Sequence, residues 1–388
     1  MMNATITIRR GTSMFSRFFR NVVVASGIVV AGAAAMPQQA SAQSDILLRL
    51  RSGSPPGDRF RVDSAGGVVA LGSLGVGIIP ASGCGFRLMW HPFRAAFRAG
   101  SPGQCPATPG SPGTQWDEAN IGFYSWAGGN ETKASAFATF AFGDGVEVTG
   151  VDGAGFGSSN TVSGTAGFTA GASNRCTGFG CTAIGFTNTA GGQGAIAIGY
   201  RVTANCDYCV ALGHRASANG HDGSFNIGDE SNTDSVMASA NNQFNARYAG
   251  GYRLYTNAGK TLGVQLAPNA TSWTTISDRN VKENFRSLKS EDILKRISAI
   301  QVSVYNYKDD PDKTKHIGPM AQDFQKAFRL NSDDKHINMS DLDGVNLAGV
   351  QALEARTRRM QAEIDAKDKK IESLEERIAR LEALLQKR

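Results

Sequence analysis

Ala195-Ile196-Ala197-Ile198-Gly199-Tyr200 is followed fourteen residues on by Cys209-Val210-Ala211-Leu212-Gly213-His214, and that interval decides how the middle of the chain is read. Gly129, Gly143, Gly157, Gly171, Gly185, Gly199 and Gly213 keep it through six consecutive steps, and Gly228 follows one residue late. The position before the glycine is usually apolar (Phe142, Phe156, Ile184, Ile198, Leu212). The position five after it is small or apolar (Ala134, Val148, Val162, Cys176, Ala190, Ala204, Ala218). A flexible Gly/Ser/Thr/Ala linker has no reason to hold such a count. A fixed period instead means stacked β units, each burying its apolar face only against its neighbours. Residues 125–230 are therefore read as repeats.

On either side the chain reads as shorter β elements. Over 43–124, strands are expected at Ile46–Leu50, Phe60–Val62, Gly67–Leu71 and Ala119–Tyr124, with a Pro/Gly-rich loop from Ser101 to Gly113. No catalytic constellation stands out there, and His91 with Trp90, Arg94 and Arg98 is expected in a packed surface loop. Over 231–276 a β neck is expected. Two alternating runs in Asn241–Tyr255 read as a hairpin about Gly250-Gly251, and Gly263–Leu266 as a further strand.

The first 42 residues read as an export signal. Arg9, Arg10, Arg17 and Arg20 precede an apolar run from Val22 to Met36, short for a membrane span, and Ala40-Ser41-Ala42 supplies a small-x-small cleavage pattern, with an uncleaved anchor as the alternative. Without that segment the formal charge falls from +6 to +2, so the basic balance no longer argues for a nucleic-acid partner. A secreted or cell-surface location also governs the six cysteines, because disulfides persist outside the cytosol. Local bonds are expected for Cys84 with Cys105, Cys176 with Cys181, and Cys206 with Cys209. A metal at Cys206-x-x-Cys209 would need a second Cys or His pair at zinc spacing, which is missing, so neither metal nor cofactor is expected.

Composition changes sharply at Ile276-Ser277. Residues 43–276 hold 40 of the 46 glycines, whereas 277–388 hold three glycines and 42 of the 74 formal charges, which places a domain boundary at this bond. Ser277 stands five residues before Lys282. A serine hydroxyl is a weak nucleophile until a base takes its proton, and a lysine can be that base when burial favours its neutral amine. Spacing alone is weak support, since residues five apart on a helix point about 140° apart. The bland alternative makes Ser277 a helix N-cap with Asp278 in the first turn.

The longer pattern adds to this. Ser277-Asp278-Arg279-Asn280-Val281-Lys282-Glu283-Asn284-Phe285, then His316-Ile317-Gly318-Pro319-Met320-Ala321-Gln322-Asp323-Phe324, then a closing heptad helix, resembles the intramolecular chaperone auto-processing domain of phage tailspikes, endosialidases and related fibres. The resemblance covers about residues 271–388. It implies a domain, here 277–342, that assists trimerisation of the preceding fibre and then cuts itself off. The cut falls at Ile276-Ser277, with Ser277 as nucleophile, Lys282 as base, and Asp278 and His316 in supporting roles. Pro319 stands where the family usually has an aliphatic residue, and Asp323 where it often has Glu. Read on its own, His316 is assigned a structural hydrogen-bonding role rather than proton transfer. Within this domain Ser290 is expected to cap a short helix through Ile293, Leu294 and Ile297, and Val302–Tyr307 to form a strand.

The repeats in turn resemble the head repeats of trimeric autotransporter adhesins, which implies a left-handed parallel β-roll whose three chains share a core. The final helix is expected from near Ser340 or Asp343 to the end, over 343–388. Ile364, Ile371, Ile378 and Leu385 recur every seven residues, as do Met360, Lys367, Leu374 and Leu381. Arg377-Ile378-Ala379-Arg380-Leu381-Glu382 resembles a short motif of three-stranded coils, and the partner expected is two further copies of this chain. The fold expected is mainly β: a trimeric fibre of 14-residue repeats, then an α+β chaperone domain ending in a three-stranded coiled coil. The function expected is that of an exported trimeric fibre or surface protein that acts as a self-cleaving serine endopeptidase once per chain. The alternative is an adhesin keeping an inactive chaperone domain as its trimerising stalk. A glycan-degrading spike would need a pair of carboxylates in a cleft, and no candidate pair is visible.

Overall fold

A computed structural model of the chain describes residues 46–52, 57–108, 111–330 and 332–386, so the export signal expected over 1–42 lies outside the described residues. The chain forms two compact units that meet in sequence between Ala249 and Gly250.

The first unit is built on a β-solenoid of about seven turns. Each turn contributes a five-residue strand to one parallel sheet (Phe140–Asp144, Ala154–Ser158, Phe168–Ala172, Thr182–Phe186, Ile196–Tyr200, Val210–His214) and a two-residue strand to a second. The glycines stack in register, Gly143 on Gly157, Gly171, Gly185, Gly199 and Gly213. The period follows from that stack. At Gly143, where φ is +135°, a Cβ would stand 1.8 Å from the carbonyl oxygen of Gly157 in the next turn. Any side chain there would part the two strands.

The interior is narrow and filled with small residues. Ala127, Ala141, Ala183, Ala197 and Ala211 come from the long strands, and Val148, Val162, Cys176, Ala190 and Ala204 from the short ones. Asn160, Asn174 and Asn188 occupy the same place in three successive turns and are fully buried. Asn174 Nδ2 donates to the carbonyls of Ala170 (3.0 Å) and Gly185 (2.8 Å), and its Oδ1 accepts the Asn188 N–H at 3.1 Å. The column thus satisfies buried backbone groups where the chain turns. The residues before the glycines lie on the outer face of the long-strand sheet rather than inside. Phe142 is 51% exposed, Phe156 38% and Ile198 38%. Aromatic rings run along this face, Trp126 to Phe140 to Phe156 to Phe168 and Phe186 to Tyr200 to His214, with centroids 5.1–5.9 Å apart.

Several expectations change at the solenoid ends. Parallel pairing begins earlier, with Gly100 of strand Ala96–Ser101 stacked on Gly129. It also ends later, since Val236–Met237 and Phe244–Arg247 extend both sheets beyond residue 230. The hairpin expected about Gly250-Gly251 does not form. Phe244–Arg247 pairs instead with Phe225–Gly228, because the open end of the solenoid offers a ready row of unpaired backbone groups. Ala119–Tyr124 is a 3₁₀ turn, Glu118–Asn120, and a single bridge from Ile121 to Ala134. His91 and Arg98 are fully buried in strands, not in a surface loop. Arg98 donates to Phe97 O, Ser125 O, Ser125 Oγ and Ala134 O within the first turn. Burial, and then the nearby Arg94 charge, lower its pKa to about 9. Upstream, Ile46–Ser52, Gly57–Asp63 and Val68–Ala70 form an antiparallel meander.

The second unit opens with an antiparallel sheet of Tyr252–Tyr255, Gly263–Leu266 and Thr274–Thr275. Helix α1 (Ser290–Ser298) follows, with Lys289 rather than Ser290 at the cap position. Then come a hairpin of Val302–Tyr305 with His316–Pro319, helix α2 (Ala321–Phe328) and helix α3 (Met339–Leu385). Glu291 of α1 pairs with Arg356 and Arg359 of α3. Of the heptad residues, Met360, Ile364, Ile371, Leu374, Ile378, Leu381 and Leu385 are all exposed in the single chain. Among the described residues no helix is long and apolar enough to cross a membrane.

Candidate functional site

The site is built where the neck sheet ends. Thr275 pairs with Val264, and the Ile276 N–H donates to Gly263 O at 3.2 Å, the last bond of that ladder. The chain then leaves the sheet at Ser277 and tightens into a 3₁₀ turn, Arg279–Val281. Asp278, not Ser277, caps this turn: its Oδ1 accepts the Asn280 N–H at 2.9 Å and Asn280 Nδ2 at 3.0 Å. The Lys282 N–H closes the turn on Arg279 O at 3.2 Å. A tight turn entered from extended backbone does what an α-helix of five residues cannot, and brings the two side chains together. Lys282 Nζ donates to Ser277 Oγ at 2.6 Å.

The surroundings of that contact differ from expectation. Ser277 and Lys282 are both exposed and Ile276 is only partly buried, so the chain by itself does not desolvate Lys282. The backbone before the contact is held on two sides. Gly263 anchors Ile276, and Thr275 Oγ1 lies 3.4 Å from Ser340 Oγ in the first turn of α3. Ser340 is 65 residues away in sequence, and although the sequence offers it as a helix start, no spacing places it beside Thr275. His316 makes no hydrogen bond to Ser277 or Lys282; its ring stacks on Tyr305 at 5.7 Å and meets Tyr307 edge-on at 5.3 Å.

With this geometry, the comparison with known families is specific. Residues 277–330 match the family Peptidase_S74, described as the chaperone of endosialidase. This match supports an intramolecular chaperone domain in the C-terminal part of the chain. The Peptidase_S74 match begins at Ser277, directly after Ile276 makes the last bond to the neck sheet, and takes in Lys282, α1, the hairpin and α2. The family is linked to self-cleaving serine peptidases and to trimerisation of the fibres it follows. No curated protein and no solved structure gives a significant match to the chain.

The cysteines form Cys84–Cys105, Cys176–Cys181 and Cys206–Cys209, with Cα atoms 5.4–5.7 Å apart. Cys206 and Cys209 bond to each other, which leaves no thiolate pair for a metal there. A shallow groove near the start of the solenoid does carry two carboxylates, Glu131 and Glu147. Glu147 is held by Lys133 at 2.9 Å, however, so this is an ion pair beside a carboxylate rather than an acid and a base.

Proposed function

We propose that the chain is an exported homotrimeric fibre or surface protein whose C-terminal domain aligns three chains and then removes itself by one cut per chain at Ile276-Ser277. The observation that carries this reading is the 2.6 Å contact of Lys282 Nζ with Ser277 Oγ, set directly after the last ladder bond of the neck sheet. Lys282 as the free amine takes the Ser277 hydroxyl proton, and Oγ attacks the Ile276 carbonyl carbon. The Ile276–Ser277 C–N bond breaks and the proton passes to the Ser277 nitrogen, leaving an ester between Ile276 and Ser277 Oγ. Water then hydrolyses the ester to an Ile276 carboxylate and a free Ser277 hydroxyl. The neck sheet stays with the fibre, because all three of its strands precede the bond.

Assembly of identical chains supplies what the single chain lacks. A neutral amine is favoured by desolvation, and Lys282 is exposed until something covers it. The apolar outer face of the solenoid sheet and the heptad seam of α3 both need covering as well. Three-chain β assembly in register is slow, and a C-terminal coiled coil raises the effective concentration of the strands. Losing the chaperone removes the route back, which makes the product kinetically stable. Three disulfides suit an oxidising, extracellular setting.

The exposure of Ser277 and Lys282 favours a second reading, an adhesin whose chaperone domain stays uncut as a trimerising stalk. Intact masses of the purified protein, wild type beside Ser277→Ala, separate the two. A 112-residue fragment, 277–388, in the wild type alone supports self-cleavage. An uncut wild type that is still trimeric supports the stalk.

A further inference from the structure

We infer that Ser340, at the start of the long helix α3, is a positioning residue for the scissile segment, acting through the hydroxyl of Thr275. The inference rests on the self-cleavage reading above and adds a residue and a connection to it. Thr275 is the second residue on the acyl side of the bond, and its Oγ1 lies 3.4 Å from Ser340 Oγ. Ser340 is itself firmly placed. Asn338 caps α3 by accepting the Ser340 N–H on its side chain at 2.9 Å, and its carbonyl accepts the N–H groups of Asp341 (3.1 Å) and Leu342 (3.0 Å).

The reaction needs such a hold because nucleophile and target sit on adjacent residues. Ser277 Oγ reaches the Ile276 carbonyl carbon only in a narrow range of backbone geometry, and orientation of this kind governs the rate of an intramolecular step. The strand Gly263–Leu266 fixes one side of the segment through the Gly263 carbonyl to the Ile276 N–H. Ser340 fixes the other side, from the helix whose remaining length carries the heptad seam. The first turn of the trimerising helix is therefore part of the clamp on the scissile peptide, and fraying of that turn releases Thr275. A hydroxyl contact at this distance is weak in the resting state, but contacts of this kind tighten as the reacting geometry forms.

The test is a pulse–chase of the full chain during expression, following release of the 277–388 fragment, with trimer content measured in parallel. Ser340→Ala is expected to slow the cut about threefold to tenfold, the range of one hydrogen bond, with trimers unchanged. Thr275→Val should slow it equally and the double variant no further, whereas Ser340→Thr restores the rate. A purely structural role would not be rescued by a hydroxyl. The inference is overturned if Ser340→Ala cuts at the wild-type rate, if the two single effects multiply, or if slowing tracks loss of trimer. Failure of the underlying reading looks different: the wild type itself is then uncut, or Ser277→Ala is cut as fast as wild type.

Discussion

Replacing Asn174 by alanine tests the physical account of the solenoid most directly. The side chain makes three bonds to buried backbone groups: two from Nδ2, to Ala170 O and Gly185 O, and one from the Asn188 N–H to its Oδ1. At about 1 kcal/mol net for each bond, the loss is about 3 kcal/mol per chain, and the stranded carbonyls and amide can only increase it. For a unit of this size each kcal/mol moves Tm by roughly 2–4 °C, so a fall of roughly 6–12 °C is expected. The effect should be local in origin yet felt on both neighbouring turns, because a solenoid is held by nearest-neighbour contacts. Thermal unfolding followed by circular dichroism measures it, with Asn130→Ala as control, since Asn130 makes its Nδ2 bond to Asp144 on the exposed surface. A fall under about 2 °C, or one equal to the control, would refute the claim that the asparagine column closes the backbone ledger of the interior.

Other expectations follow from the remaining geometry. Lys282→Met should abolish release of the 277–388 fragment without loss of trimers, and a variant that still cuts at full rate removes Lys282 as the base. Phe142→Ser on the outer face should weaken assembly: half of a phenylalanine surface is about 100 Å², or about 2.5 kcal/mol per chain, read as lower heat resistance of the trimer in sedimentation. Unchanged heat resistance would mean that this face is not the interface. Asp229 accepts hydrogen bonds from the Ala249 N–H, Ser231 and Arg247, which hold its pKa down, from 3.8 to about 2. A lowered carboxylate pKa gives stability that is present above about pH 4 and lost as pH falls toward 2. Asp229→Asn should therefore flatten the change in Tm over that window, and an unaltered acid profile counts against the role of Asp229 at the solenoid end.

Much of the fold could be read from the chain because its constraints are local or strictly periodic. The stacked glycines permit no side chain, so the period is written in the sequence from Gly129 to Gly213. The heptads of α3 and the helix at Ser290–Ser298 follow from side-chain spacing in the same way. The ends of the solenoid were less legible. Gly100 joins the stack across an insertion that breaks the count, and Phe244–Arg247 was drawn into a hairpin by nearby Gly250-Gly251, although a better partner lay at the open solenoid end. Burial of Arg98 was hidden because a charged side chain enters a core only where particular carbonyls await it, and burial of His91 because its partner Glu118 lies 27 residues away.

The same division runs through the site. Sequence alone singled out Ser277, Lys282 and the bond before them, because residue types and motif order are one-dimensional facts. Only the tertiary structure decided that a 3₁₀ turn capped by Asp278 brings Lys282 within 2.6 Å of Ser277, that His316 sits with Tyr305 and Tyr307, and that Ser340 stands against Thr275. Those are meetings of side chains set by turn geometry and by packing across 65 residues, and no period or spacing along the chain encodes them.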